Sequence, residues 1–313
     1  MNLTAEASQT RLRPRARVSP QERRRTLVAY LFLTPALAFL AIFLFLPLVQ
    51  AVYLSFTRYD LLNPPQWIGL ANFTNLFNDP LFWHSLKNSF IYLIVTPILI
   101  VLSIALAIVV NRKLPGVAFF RALYYMPAVT SVVAIGMIFD FVFAEPAGLI
   151  NGALRALNLI DTPIHFLTAP SSILASIMVV TIWRGVGYYM VIFLAALQSI
   201  PEELYEAAAI DGATPFQQHL RITVPLLRPA ITFVAIISSI AALKVFDEIY
   251  IMTGGSGGLL DSAVTAVFYL YRQGFEYLNL GYAAAIAVVF TLITLSLSII
   301  NLRFMERGAT DVS

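Results

Sequence analysis

The chain alternates between long apolar runs and shorter polar connections. Six runs reach the about 20 residues that a helix needs to cross the roughly 30 Å hydrocarbon core of a bilayer. They are residues 27–56, 88–110, 122–143, 172–197, 230–252 and 282–305. Runs of this length indicate helices, because lipid cannot satisfy exposed backbone N–H and C=O groups. The pattern therefore predicts an all-α polytopic membrane protein with six transmembrane helices.

The composition supports membrane lipid as the environment of most of the chain. Of the 313 residues, 59% are hydrophobic and only 12% carry a charged side chain. A soluble globular domain has about 45–50% apolar and about 25% charged residues. The chain has no cysteine, which excludes disulfides and thiolate metal sites.

Lysine and arginine residues fall mainly on one side of the predicted membrane. The segment before the first run holds seven arginines between Arg11 and Arg25, and the other segments on that side hold seven more basic residues. The opposite connections hold only Arg58, Lys87, Arg155 and Arg272. Because cytoplasmic loops are enriched in basic residues, this distribution predicts that the N- and C-termini are cytoplasmic.

This topology divides the chain into three parts. Residues 1–26 are expected to form a basic, disordered cytoplasmic tail, and residues 306–313 a short cytoplasmic tail. Residues 27–305 are expected to form the six-helix transmembrane domain. The first apolar run is much longer than the about 7–15 residues of a signal-peptide core, so it is interpreted as an uncleaved span.

The polar connection between the fourth and fifth runs, residues 199–229, predicts two short helices. Ser199 with Glu202 three residues later is a capping-box pattern, which predicts the start of the first helix. An alanine run favours its continuation, and Gly212 ends it. Thr214 then caps a second helix with Pro215 in its first position.

The second helix of this connection carries an apolar face. Phe216, Leu220 and Val224 recur at intervals of four residues, so they share one side of the helix. Together with the carboxylates of the first helix, this face fits a compact surface that docks into a groove on a cytoplasmic partner. The same spacing also fits an ordinary helical loop, and both interpretations remain open on spacing alone.

The motif Glu206-Ala-Ala, followed by Gly212 and by Ile222-Thr-Val-Pro225, resembles the EAA loop of binding-protein-dependent ABC importer permeases. In that family the loop holds a coupling helix, which sits in a cleft of the ATP-binding subunit. The resemblance implies that Glu206 pairs with a basic group there, that Gly212 forms the bend and that residues 213–218 are buried in the cleft. The implied coupling residues are Glu206, Ala207, Ala208, Gly212, Ala213, Thr214, Pro215 and Phe216.

Further motifs extend the resemblance along most of the chain after the tail. Leu33-Thr-Pro-Ala, Trp67-Ile-Gly-Leu-Ala-Asn-Phe and Val245-Phe-Asp-Glu-Ile-Tyr are similar to segments of carbohydrate-type permeases. The chain lacks the large outer domain of the maltose-type subunit and is closer to the glycerol-3-phosphate and lactose types. The resemblance implies the type I ABC importer permease fold (MetI-like). It also implies import of a mono-, di- or oligosaccharide, or of a solute like glycerol-3-phosphate.

The same resemblance implies partners and location. The chain would form a heterodimer with a second homologous permease, and would bind two ATP-binding subunits and an extracytoplasmic solute-binding protein. The complex would lie in the cytoplasmic (inner) membrane of a bacterium or archaeon. ATP and Mg²⁺ would bind to the partner subunits, so no cofactor, metal site or catalytic residue is expected here. No nucleic-acid partner is expected, because the tail arginines are interpreted as a topology anchor.

Polar groups inside the predicted spans are candidates for lining a solute path, because ionisable residues in lipid are costly and usually face a cavity. Arg184 lies near the middle of the fourth run, and Lys244 lies well inside the fifth. Asp247 and Glu248 follow Lys244 at i+3 and i+4, so an intrahelical ion pair is the alternative to solute contact. The candidate lining residues are Trp183, Arg184, Tyr188, Tyr189, Asp140, Lys244, Asp247 and Tyr250.

Two other classes of function remain open at this point. A secondary transporter would use Asp140 or the cluster around Lys244 for proton or sodium coupling, and would need no ATPase. A membrane-embedded enzyme would need a catalytic constellation. No phosphate-binding loop is found and no nucleophile elbow is expected, which favours a non-catalytic transport subunit.

Overall fold

The computed structural model describes residues 20–112 and 115–307. Residues 1–19 of the predicted basic tail lie outside the described residues. So do Lys113 and residues 308–313 of the predicted C-terminal tail. The first helix already begins at Pro20, ahead of the predicted start at residue 27. The chain divides into one unit that ends at Gln50 and a second that begins at Ala51.

The described part of the first unit is an apolar helix with a local widening, and its last helix continues past Gln50. α1 spans Pro20–Leu40, α2 spans Leu46–Ser55, and the residues Ala41–Phe45 between them form a π-turn. Pro47 accounts for the widening, because it has no N–H for the usual helical bond and its ring crowds the preceding turn. The stretch Arg24–Ser55 is long and apolar enough to cross a membrane.

The second unit contains the other described helices and a small sheet. β1 (Thr57–Arg58) and β2 (Gln66–Trp67) pair antiparallel. The helices are α3 Ala71–Phe77, α4 Pro80–Tyr92, α5 Val95–Val110, α6 Val117–Val129, α7 Val132–Val142, α8 Leu149–Ala156, α9 Ile173–Leu197, α10 Glu203–Ile210, α11 Pro215–Gln218, α12 Val224–Leu226, α13 Arg228–Leu243, α14 Asp247–Met252, α15 Ala266–Tyr271 and α16 Leu280–Arg307. π-turns at His219–Thr223 and Arg272–Glu276 and a 3₁₀ turn at Leu259–Asp261 lie between them.

The described residues contain four continuous helical stretches that are long and apolar enough to span a membrane. They are Arg24–Ser55, Pro80–Val110, Ile173–Leu197 and Leu280–Ile300. Two bent pairs, α6 with α7 and the α11–α12 segment with α13, raise the number to six if each pair is one span. The predicted all-α polytopic fold is confirmed, whereas the cytoplasmic placement of the termini and the three-part division of the chain stay predictions.

The predicted third span, residues 122–143, is broken near its middle. Thr130 adopts an extended backbone (φ −76°, ψ 142°) directly after α6. Pro127 lies in the last turn of α6 and removes one helical N–H there, which weakens the helix before the break. α7 then departs at 96° to α6.

The predicted fifth span, residues 230–252, is also interrupted. α13 ends at Leu243 and α14 begins at Asp247. Thr265 stabilises the break, because its Oγ1 donates to the Val245 carbonyl at 3.0 Å in a buried environment. Because of the break, Lys244 and Glu248 do not lie on the same helix.

α9 is central to the packing of the second unit, where it contacts α5, α6 and α13. Ser103 Oγ of α5 donates to the Val186 carbonyl at 3.0 Å. Small residues permit close helix approach, and a Cβ added to Gly187 would lie 1.8 Å from the Tyr124 carbonyl oxygen of α6. Gly187 is therefore required for the contact between the two backbones.

A polar stripe on α4 holds the connection between α14 and α15. Asn88 Nδ2 donates to the Ser262 and Val264 carbonyls at 3.0 and 2.9 Å. Ser89 Oγ accepts a hydrogen bond from the Ala266 N–H at 2.9 Å. Because Asn88 and Ser89 are buried, these bonds satisfy backbone groups that water cannot reach.

Candidate functional site

The helix–turn–helix predicted within residues 199–229 is present. α10 ends before Gly212, which adopts a left-handed backbone with φ +79°. Thr214 forms a capping box at the start of α11: its Oγ1 accepts from the Gln217 N–H at 3.4 Å, and Gln217 Oε1 accepts from the Thr214 N–H at 2.9 Å. Pro215 occupies the first turn, so the predicted bend and second cap are confirmed.

The predicted cap of the first helix is wrong. Ser199 Oγ donates to the Ala196 carbonyl at 2.7 Å, back into the end of α9. α10 instead begins at Glu203, and its cap residue Glu202 makes no capping bond with its side chain. Ser199 follows α9 so closely that the unpaired carbonyls of that helix compete for its hydroxyl.

The bend exposes apolar and acidic side chains together. Ile210 is 87% exposed, Phe216 75% and Leu220 59%. Glu206 is exposed on α10, and a Cβ added to Gly212 would meet no atom within 4 Å. Several large apolar side chains exposed in one short segment are typical of a protein–protein contact. We call Glu206, Ile210, Gly212, Phe216 and Leu220 the docking knob.

A polar brace joins the two arms of the knob, and sequence reasoning missed it. The hydroxyls of Tyr205 and Thr223 lie 2.9 Å apart, and His219 Nδ1 lies 3.2 Å from the same Thr223 Oγ1. Gln218 Nε2 donates to the Tyr205 and Ala213 carbonyls at 3.4 Å each. Local spacing gives no signal for it, because the partners come from both sides of the bend.

A partly open cavity of about 310 Å³ lies between helices of the second unit. Three predicted lining residues, Arg184, Tyr188 and Tyr189, form part of its wall on α9. Tyr92 of α4 and Thr181 also line it, with their hydroxyl oxygens 2.6 Å apart. The wall combines hydroxyl groups, aromatic rings and aliphatic side chains.

Arg184 forms an ion pair across the cavity wall. Its Nη1 lies 2.7 Å from Glu248 Oε1 of α14, and the two side chains are 32% and 12% exposed. The intrahelical pair considered for Lys244 is not formed with Glu248, because the break before α14 separates them and Glu248 joins α14 to α9 instead. Within the described residues, Lys244 and Asp247 have no ion-pair partner.

Five predicted lining residues lie away from this cavity in the part of the chain that the structure describes. Trp183 packs edge-on against Phe139 of α7, with ring centroids 5.3 Å apart. Tyr250 joins an aromatic cluster with Phe246 and Tyr271, at centroid distances of 5.3 and 5.5 Å. The remaining three are exposed and are not part of the wall: Asp140, Lys244 and Asp247.

The glycine-rich segment 254–258 matches the Gly-x-Ser-x-Gly pattern of a nucleophile elbow, contrary to expectation. A functional elbow joins a strand to a helix, whereas this segment follows α14 and its four glycines have positive φ. Ser256 Oγ donates to the Thr253 carbonyl at 2.7 Å, so the serine stabilises a turn. Among the described residues, no three His, Asp or Glu side chains are grouped closely enough to hold a metal ion.

Residues 99–307 match the family model described as binding-protein-dependent transport system inner membrane component. The chain is 37% identical to the probable ABC transporter permease protein YurN of Bacillus subtilis, over 91% of this chain and 98% of that one. It is 36% identical to the lactose transport system permease protein LacF of Rhizobium radiobacter, over 87% and 92% of the two chains.

A solved structure also shares the fold. It belongs to a bacterial ABC transporter described as involved in the import of the acidic polysaccharide alginate. The TM-score is 0.78 and the identity 25%, and the match covers 92% of this chain and 98% of the other.

Proposed function

Since this chain belongs to the family of binding-protein-dependent transport system inner membrane components, we propose that it is the permease subunit through which a carbohydrate enters the cytoplasm. The family locates the chain in an inner membrane. Relatives named for lactose, arabinooligosaccharides and diacetylchitobiose support a mono-, di- or oligosaccharide as the solute.

The proposed assembly contains a second, homologous permease as heterodimer partner, two ATP-binding subunits and an extracytoplasmic binding protein. Matches along most of the chain to proteins named as permeases support a division of labour, in which ATP and Mg²⁺ bind to other subunits. This chain would then be non-catalytic. Its own residues would couple to the motor and contact the solute.

The docking knob is the observation that carries the proposal. Phe216 and Ile210 are too apolar and too exposed to be favourable in water at one bend. The space around Gly212 is empty within the described chain, so a partner can approach the backbone there, and the φ of +79° favours glycine in addition. A cleft on an ATP-binding subunit would bury the apolar residues and pair a basic group with Glu206.

α9 leads from the cavity towards the knob, and residues 198–202 join it to α10. It runs from the cavity residue Arg184 to Leu197 just before the knob, a rise of about 20 Å at 1.5 Å per residue. Closure of the ATP-binding subunits would move the knob, and α9 would carry the displacement to the cavity wall. The cavity would thereby change from outward-facing to inward-facing.

We narrow the proposed solute contacts to the residues of the cavity wall. These are Arg184, Tyr188 and Tyr189 from the predicted set, with the hydroxyl groups of Thr181 and Ser238 added by the structure. Hydroxyls and aromatic rings are the groups that bind sugars. For the coupling contact we retain all eight residues implied by the EAA resemblance.

The experiment measures ATP-dependent uptake of labelled mono-, di- and oligosaccharides by the full complex in proteoliposomes. Glu206→Ala and Gly212→Asp are expected to abolish uptake while the complex remains in the membrane. Glu203→Ala is the matched control, because it removes another exposed carboxylate of α10 outside the motif and should retain uptake. Intact ATP-dependent uptake in both knob variants would refute the coupling role, and uptake without ATP would indicate a secondary transporter.

A further inference from the structure

The cavity residue Glu248 has no assigned role in transport. Resting on the proposed function, we propose that Glu248 sets the charge selectivity of the cavity. Paired with Arg184, it gives the wall no net charge, so that uncharged saccharides are accepted in preference to anionic ones.

The charge balance follows from the wall itself. Among the described residues, Arg184 and Glu248 are the two charged side chains that line the cavity. Their 2.7 Å contact is partly shielded from solvent, because the Glu248 side chain is only 12% exposed. Charges are weakly screened in such surroundings. An Arg184 without its partner would therefore attract anions strongly, and the pair removes that attraction.

The hydrogen-bonding capacity of the pair also fits an uncharged sugar. A guanidinium has five N–H donors and a carboxylate two acceptor oxygens, and the bond between Arg184 and Glu248 uses one of each. Sugar hydroxyls both donate and accept, so they can bond to the remaining N–H donors of Arg184 and to the remaining oxygen of Glu248. A solute carboxylate only accepts hydrogen bonds and is repelled by Glu248. The rings of Tyr188 and Tyr189 lie in the same wall and offer apolar contact to the sugar faces.

The fold alone does not impose this preference. A chain that shares the fold with a TM-score of 0.78 belongs to a transporter described as importing an acidic polysaccharide. The sign of the net charge on the cavity wall must therefore depend on individual side chains. Glu248 is the side chain that cancels the positive charge here.

The test uses the membrane complex of the two permeases and the two ATP-binding subunits, purified in detergent without the binding protein, so that binding reports on the cavity. Binding of lactose, arabinobiose and diacetylchitobiose is compared with binding of digalacturonate by saturation-transfer NMR. Wild type is expected to favour at least one neutral probe over digalacturonate. Glu248→Gln is expected to shift that ratio about tenfold or more towards digalacturonate, because the cation is no longer balanced. Asp161→Asn removes one exposed carboxylate outside the cavity and should keep the wild-type ratio.

A second variant separates selectivity from folding, because Glu248→Gln leaves an unpaired cation that can destabilise the complex. The double variant Arg184→Gln with Glu248→Gln restores neutrality and is expected to prefer neutral probes again. A purely structural ion pair predicts no change of preference in either variant, and that result would overturn the inference. So would a wild-type complex that prefers digalacturonate, or one that imports a saccharide with ATP but binds no neutral probe. In both cases the proposed function would stand, because it is tested separately by ATP-dependent uptake.

Discussion

The contact between α6 and α9 depends on a missing side chain, and Gly187→Ala tests it. A Cβ at this position would lie 1.8 Å from the carbonyl oxygen and 2.6 Å from the carbonyl carbon of Tyr124, and 3.2 Å from Tyr125 Cα. All three are backbone atoms, so no side-chain rotation relieves the clash. Since carbon–oxygen contacts are about 3.3 Å or longer, the two helices must separate by about 1.5 Å.

The expected cost combines two opposing effects. Overpacking a tight contact costs about 1–3 kcal/mol and occasionally more, and the rigid backbone places Gly187→Ala at the upper end. Alanine regains about 1 kcal/mol, because glycine is unfavourable inside a helix. We therefore expect Gly187→Ala to lower the free energy of unfolding by about 2 kcal/mol or more.

The assay is thermal unfolding of the purified complex, with two matched glycine variants. Gly185→Ala brings a Cβ to 3.0 Å from Leu99 Cδ2, a side-chain atom that can move, so its effect should be small. Gly152→Ala on α8 meets no atom within 4 Å and should be neutral or stabilising. An unfolding temperature of Gly187→Ala equal to that of Gly152→Ala would refute the close approach of α6 and α9.

Three further substitutions test other parts of the structure. Asn88→Ala leaves two backbone carbonyls without their donor, at a cost of about 1–3 kcal/mol each, so limited proteolysis should cut the connection between α14 and α15 faster. Thr214→Ala removes a helix cap worth about 1 kcal/mol and should reduce uptake without reducing the amount of complex in the membrane. Burial raises the pKa of Asp79, but hydrogen bonds from the Tyr269 and Tyr282 hydroxyls outweigh it and hold the pKa below its ordinary 3.8. The ionised carboxylate therefore stabilises the fold above about pH 4. That stabilisation is lost as the pH falls through the folded-state pKa of Asp79. Asp79→Asn should flatten the acid side of a curve of unfolding temperature against pH.

The long helices were predictable because lipid leaves the backbone few alternatives. Apolar runs alone located the continuous spans, with the second extended from residue 88 back to Pro80. The break at residues 244–246 was not predictable, because the Thr265 hydroxyl that stabilises it lies about twenty residues away along the chain. Hydropathy averages over a window and does not register one hydrogen bond of this kind.

The same distinction separates what could be predicted of the candidate site from what could not. The bend at Gly212 and the cap at Thr214 are local, and both appear as the sequence predicts. The cap at Ser199 failed because two helix ends compete for one hydroxyl. The pair of Arg184 with Glu248 required the tertiary structure, because only the break between α13 and α14 brings the two residues together.

The two helix breaks and the cavity have a common physical basis. Irregular backbone at membrane depth is tolerated only where protein buries it or where it lines a cavity. Ala128, two residues before the extended Thr130, and Val245, inside the second break, both lie in the cavity wall. The interruptions of the predicted third and fifth spans therefore occur where the membrane permits them. The break between α13 and α14 also lets α14 present Glu248 to Arg184, so this departure from a regular helix builds the charge-balanced wall.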